Sequence, residues 1–233
     1  LGAATAVLAP LVHRAVGREV VRTYDPMSVS AFLDAYRPLL RHRSTVGVYA
    51  SVLLGNTVAW SMGTYAPVFF AERHDYSTGQ IGWIFFVIGI ALFTGNIAAG
   101  GRVGTLPLRP LLIVIRLVFG TLVALLFLLP LSAIAGLALI GGIGLMGGIG
   151  GVTDVMLLIR ESPASRATTL TFNTAVLNLG IAFGGMVGGV LLALSDFAAI
   201  GINALLLSAA AALVLWVTRD ARPTAATSIG QTS

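Results

Sequence analysis

Between residues 44 and 218, apolar residues run on for twenty or more positions at a time, broken only by short polar stretches. The first run extends from about Val46 to Phe70 and the second from about Gln80 to Gly101, with the polar turn Glu72-Arg73-His74-Asp75 between them. The third, about Leu108 to Pro130, contains Arg116. After Leu131-Ser132 the fourth, about Ala133 to Ile159, contains Asp154. The fifth, Ala167 to Leu194, and the sixth, Phe197 to Thr218, are uncharged and separated by Ser195-Asp196. A bilayer-crossing helix needs roughly 20 apolar residues, so the pattern predicts an all-α polytopic membrane protein with six transmembrane helices. Barrel strands would instead show segments of about ten residues with apolar and polar positions alternating.

The flanks read differently. The apolar stretch Leu1 to Val12 covers only about 18 Å as a helix, too little to span, and is expected to be the end of a preceding transmembrane helix. Residues 13–43 read as a basic cytoplasmic connector. Ser28 or Ser30 would cap a short amphipathic helix carrying Phe32, Leu33, Tyr36, Leu39 and Leu40, or the segment is simply a solvated linker on the membrane surface. Residues 44–218 form the predicted six-helix lobe and 219–233 a cytoplasmic tail.

Composition sharpens this. Of 233 residues 57% are hydrophobic and 10% charged, against about a quarter charged in a soluble domain. Disorder, a disulfide scaffold and a cytosolic enzyme are thereby excluded. The +5 formal charge comes entirely from arginine, scattered singly between apolar runs, which makes no continuous groove for nucleic acid. Six crossings place twelve arginines on the side of both termini and only Arg73 opposite. By the positive-inside rule both ends should be cytoplasmic, in the plasma membrane.

Enzymatic chemistry finds few candidates. The histidines, at 13, 42 and 74, lie outside the runs, and there is no cysteine or lysine. A catalytic dyad, a metal site, a haem site and a phosphate-cradling loop therefore lack their residues, and no cofactor or enzymatic activity is expected. Arg116 lies seven residues beyond Arg109, and Asp154 six before Arg160, so both should sit roughly 9 to 10 Å in from the same helix ends. An ion pair between them would offset the penalty of burying each. Alternatively, Arg116 snorkels to the headgroups while Asp154 faces a wet cavity alone.

Glycine and polar side chains distinguish the helix faces. In the fourth run eight glycines fall between Gly136 and Gly151, giving a thin, easily bent helix. In the fifth, Gly180, Gly184 and Gly188 repeat every four residues and Gly185 pairs with Gly189, a spacing that lets helices approach closely in lipid. At 100° per residue Thr171, Thr174, Asn178, Ala182, Gly185 and Gly189 share one side of that helix, while Gly180, Gly184 and Gly188 take another flank. In the first run Tyr49, Asn56, Trp60 and Gly63 likewise share a face, with Thr64 at its edge. Unpaired amides facing hydrocarbon are costly, so these stripes should meet a cavity or another helix.

Three stretches resemble a known family. Gly100-Gly101-Arg102-Val103-Gly104, continuing to Arg109-Pro110-Leu111-Leu112, is similar to the G-G-R-L-A-D-R-x-G-R-R-P loop between the second and third helices of a half in the major facilitator superfamily, one residue shorter and with Thr105 near the aspartate position. Glu161-Ser162-Pro163-Ala164-Ser165-Arg166-Ala167-Thr168 resembles that family's E-x-x-P-x-x-x-R-G-T-A stretch. Leu179 to Gly189 resembles its G-x-x-x-G-P-x-x-G-G helix, with Gly185 where proline is usual. The closest look is to the bacterial drug and sugar efflux branch.

The resemblance implies the C-terminal half of a secondary transporter, two inverted three-helix repeats forming one lobe, with the N-terminal six-helix half of the same protein as partner. It implies proton-coupled efflux of a small organic molecule by alternating access. Tyr49, Asn56, Trp60, Thr171, Thr174 and Asn178 are then the expected substrate contacts. Arg102, Arg109, Glu161 and Arg166 would form a cytoplasmic latch, and this chain alone should not transport. The competing expectation is a non-transporting membrane subunit that assembles with partners through its glycine faces.

Overall fold

In a computed structural model, residues 36–219 are described, except for the side chain of Arg102; residues 1–35 and 220–233 lie outside the described residues. The expectations for residues 1–12, for most of the connector and for nearly all of the tail therefore fall outside them. The described residues are helical, without strands. Six long helices follow in order: α1 (Arg43–His74), α2 (Thr78–Arg102), α3 (Leu108–Leu128), α4 (Ala133–Glu161), α5 (Arg166–Leu194) and α6 (Phe197–Val217).

Polar residues in the breaks start these helices. The side chains of His42, Ser77, Ser132, Ser165 and Asp196 each accept a bond from a backbone N–H in the first turn of the helix that follows. This satisfies donors that have no intrahelical partner. Ser77 and Gln80 form a reciprocal capping box. The break after the first run is shorter than the sequence suggests. Glu72, Arg73 and His74 complete α1, and the chain reverses at Asp75, whose φ of 55° is left-handed.

Five of the helices, α2 to α6, are long and apolar enough to cross a bilayer. The sequence pattern predicts six crossings, and the exception is α1, the longest at 32 residues. It carries Ser44, Thr45, Ser51, Thr57 and Ser61, all buried in the bundle. Outward, the bundle presents large apolar side chains, among them Trp83 (64% exposed), Ile134 (81%) and Trp216 (67%). Apolar helices with apolar outer faces mark a membrane protein, since water would penalise such a surface.

The closest packing is between helices distant in sequence. α1 packs most extensively on α5, α2 on α4 and α3 on α6, followed by α1 with α6 and α3 with α4. Exchanging the first three helices for the last three, in order, maps these five pairings onto themselves. Glycine makes the first three possible. A Cβ at Gly184 would lie 2.7 Å from the Thr57 carbonyl oxygen and 2.9 Å from the Ser61 nitrogen. Gly95 and Gly148 bring α2 and α4 into backbone contact, and Gly120 seats Ser208 of α6 against α3.

Two apolar clusters fill the interior. One gathers Phe69, Phe70, Phe127 and Phe197, with the Phe69 ring 5.2 Å from Phe127 and 5.3 Å from Phe197. The other gathers Val48, Val52, Leu112, Leu158 and Leu215, and includes Leu39 from the helical residues just before α1. Leu39 is fully buried and Tyr36 lies against the Phe172 ring at 5.6 Å. Through Tyr36 and Leu39 the described end of the connector packs onto the bundle, while Arg37, Pro38, Leu40 and Arg41 are exposed.

Candidate functional site

Arg116 and Asp154 meet. Arg116 Nη2 donates to both carboxylate oxygens of Asp154, at 2.7 and 2.8 Å, and its Nε donates to Ser51 Oγ at 3.1 Å. Both side chains are about nine-tenths buried. Within the bundle this pair joins three helices: Ser51 on α1, Arg116 on α3 and Asp154 on α4.

Seven residues away on each helix, the same chemistry recurs. Ser44, Arg109 and Glu161 occupy the positions two turns nearer the helix ends. Arg109 Nε and Nη2 donate to the two Glu161 oxygens at 3.1 and 2.6 Å, while Ser44 Oγ bridges the two side chains. Its remaining nitrogen, Nη1, donates to the Leu215 carbonyl and to Thr218 Oγ1, tying in α6. Thr45 Oγ1 also donates to the Glu161 carbonyl, at 2.9 Å. The sequence could have shown this repeat, because three seven-residue spacings between like residues are visible once the helices are drawn.

The two layers differ in saturation. All three guanidinium nitrogens of Arg109 are bonded, in fork geometry to the carboxylate. At Arg116, Nη1 makes no hydrogen bond with a described residue and lies where a Cβ on Gly55 would come within 2.5 Å. Arg116 and Asp154 line a cavity of about 160 Å³, together with Gly147, Gly150 and Gly151 of α4 and Asn173 of α5. A second, more apolar cavity of about 370 Å³ lies beside it, lined by Trp60, Met62 and Phe85 among others. Asn56, Ala59, Phe119 and Gly147 belong to both walls.

Only part of the expected substrate set is brought here. Asn56 lines both cavities, with Nδ2 donating to the Val52 carbonyl at 3.0 Å, and Trp60 lines the second. Tyr49 does not. It is buried between α1 and α5, donates its hydroxyl to the Thr169 carbonyl at 3.0 Å and packs edge-on against Phe172 at 4.9 Å. Thr171, Thr174 and Asn178 are exposed on the outer side of α5 and line neither cavity. The reason is rotational. Gly180, Gly184 and Gly188 turn α5 onto α1, which carries the polar stripe away from the cavity. Gly188 and Gly189 lie against Tyr65, whose hydroxyl donates to the Gly185 carbonyl at 2.9 Å.

Of the expected latch, Arg109 and Glu161 are joined. Arg166 is exposed with no ion pair among the described residues, and the side chain of Arg102 lies outside them. The residue that sequence reasoning missed is Asn173. It is 5% exposed and its Oδ1 is buried without a hydrogen-bond partner. Although it follows Phe172 and precedes Thr174, at 100° per residue it falls off the Thr171, Thr174 and Asn178 stripe, so no polar face announced it.

No known protein family, curated protein or solved structure matches this chain.

Arg109 fastens the outer layer by its fork to Glu161 and its bond to the Leu215 carbonyl. Arg109→Lys keeps the charge but replaces the planar fork with a point donor. It should lower the thermal unfolding midpoint of the detergent-solubilised protein by several degrees, whereas Arg166→Lys, at an exposed position, should leave it within about 1 °C.

Proposed function

We propose that the chain is one six-helix lobe of a secondary active transporter of the major facilitator type, with α1 as the sixth membrane crossing. The observation that carries the reading is a cavity into which a buried Arg–Asp pair opens between glycine-rich helices, inside a largely apolar bundle. Charged side chains within membrane-spanning segments are costly and mark substrate or ion pathways. The failure of α1 to look apolar fits a helix that is surrounded by protein and cavity. The exchange symmetry of the helix pairings supports two three-helix repeats of inverted topology, an arrangement in which substrate sites lie near the repeat interface.

In this reading a second six-helix half, from the same protein, closes the other side of the pathway. The exposed Thr171, Thr174 and Asn178 stripe then faces that half or the water between the two, which relieves the penalty of turning hydroxyl and amide groups to lipid. Transport proceeds by rocking of the two lobes in the plasma membrane, with both ends of this lobe cytoplasmic. Arg109 and Glu161 hold the cytoplasmic ends of α1, α3, α4 and α6 together so that the lobe moves as one body. Protons supply the energy, and Asp154 is the acid placed to exchange one, released from Arg116 in one state and paired in the other.

The test uses everted membrane vesicles containing the whole encoded protein, with the respiration-driven pH gradient followed by an acridine dye. A panel of small organic compounds should contain members that collapse the gradient saturably. Asp154→Asn, whose amide oxygen still accepts from Arg116, should lower that rate tenfold or more. Vesicles indistinguishable from empty ones across the panel, together with co-purification of a stable partner subunit, would favour the anchoring role instead.

A further inference from the structure

We infer that Arg116 is the anchoring group of an organic-anion site, and that Asp154 is its built-in competitor. The inference deepens the transporter reading by naming the substrate class, and it rests on that reading for its physiological meaning.

The two arginine layers are bonded differently. Arg109 is saturated: fork to Glu161, a carbonyl and a hydroxyl at Nη1. Arg116 sits in an equivalent place two turns deeper, yet it presents only one nitrogen to both oxygens of Asp154 and keeps Nη1 unbonded beside the cavity. A guanidinium matches a carboxylate best when two of its nitrogens face two oxygens. The single-nitrogen contact with Asp154 leaves that better geometry available to a second carboxylate. Gly55 makes room for the guanidinium against α1, since any side chain there would meet Nη1 at 2.5 Å.

Two further features define the ligand. Asn173 lines the same cavity with its buried Oδ1 unpartnered. A buried acceptor left without a donor forfeits its hydration with nothing in return, and a ligand hydroxyl or amine would remove that penalty. The adjoining cavity, walled by Trp60, Met62, Phe85 and Phe119, offers an apolar compartment reached past Asn56. The cavity at Arg116 alone holds roughly five water volumes, enough for a carboxylate and a neighbouring donor. The ligand is thus a small organic carboxylate with a hydrogen-bond donor and an apolar body: head at Arg116, donor at Asn173, body against Trp60 and Phe119. Binding hands Arg116 from Asp154 to the ligand.

The experiment measures binding without any gradient, by calorimetry on the whole protein in lipid nanodiscs. The probes are mandelate, phenylacetate, which lacks its hydroxyl, and benzylamine as a cationic counterpart. Mandelate should bind saturably and benzylamine should not. Arg116→Lys should weaken mandelate tenfold or more, and Asn173→Leu should remove the preference for mandelate over phenylacetate. The diagnostic variant is Asp154→Asn. If the carboxylate competes for Arg116, its removal should tighten mandelate several-fold, and mandelate should raise the unfolding midpoint of this variant more than that of the parent.

A merely structural ion pair gives the opposite sign, because loosening it would weaken every ligand. Where Arg116→Lys fails to fold, Arg116→Gln combined with Asp154→Asn removes both charges together and should fold without binding mandelate. Mandelate binding unchanged in that double variant, tighter binding of benzylamine, or weaker mandelate binding in Asp154→Asn overturns the inference. Saturable flux of compounds that never compete with mandelate would remove the anion assignment and leave the transporter reading. Mandelate binding without flux of any compound would do the reverse.

Discussion

Arg116→Ala alone should destabilise the protein by about 3–5 kcal/mol, and Asp154→Ala alone by a similar amount. Arg116→Met combined with Asp154→Leu should recover most of that loss. Each single change leaves one ion buried without its counter-charge, in a site about nine-tenths shielded from water. The double change removes both ions and returns apolar volume, which in buried pairs is often neutral. Reversible unfolding in mixed micelles, with Arg116→Met and Asp154→Leu also measured singly to close a double-mutant cycle, measures the coupling. If the two single losses simply add in the double variant, the two groups do not act as a pair. The cycle also separates stability from function, since the apolar double variant should be well folded and inactive in the vesicle assay.

At two adjacent glycines of α5, Gly184→Ala and Gly185→Ala should have opposite signs. A methyl group at Gly184 would meet the Thr57 carbonyl oxygen at 2.7 Å, Trp60 Cβ at 2.8 Å and the Ser61 nitrogen at 2.9 Å. Two of these three are backbone atoms, so relief requires α1 and α5 to separate. Overpacking of this kind costs about 1–3 kcal/mol or more. At Gly185 nothing lies within 4 Å of the new methyl group, and the better helix propensity of alanine is worth up to about 1 kcal/mol. Thermal unfolding should therefore separate the two variants by well over 5 °C in midpoint. Equal midpoints would mean that the close α1–α5 contact does not form. Gly148→Ala should behave like Gly184→Ala, because its neighbours are the α2 backbone at Leu92, Gly95 and Asn96.

These variants also separate two uses of glycine that look alike in sequence. The glycine-rich stretch of α4 reads as a thin, bendable helix. In the bundle its glycines divide by face. Gly144 and Gly148 seat α2, whereas Gly147, Gly150 and Gly151 line the cavity at Arg116 and Asp154. Spacing alone marks the stretch as special, and it cannot assign each glycine to a face until the neighbour is known.

The helix positions were legible from the chain by itself. Long apolar runs and serine or aspartate caps are local signals, and the ends of α2 to α6 lie within about two residues of where the pattern puts them. The matched depth of Arg116 and Asp154 was equally legible, because rise per residue is a property of one helix. Partner choice between helices was decided only in three dimensions. α1 meets α5, α2 meets α4 and α3 meets α6, and none of these pairs is consecutive, so no loop length announces them. The rotation of each helix follows from that choice. It sends Thr171, Thr174 and Asn178 outward, ties Tyr49 to Thr169, and brings Asn173 to the cavity instead. Period and length belong to a single segment, whereas which face is inside depends on the backbone that happens to lie against it.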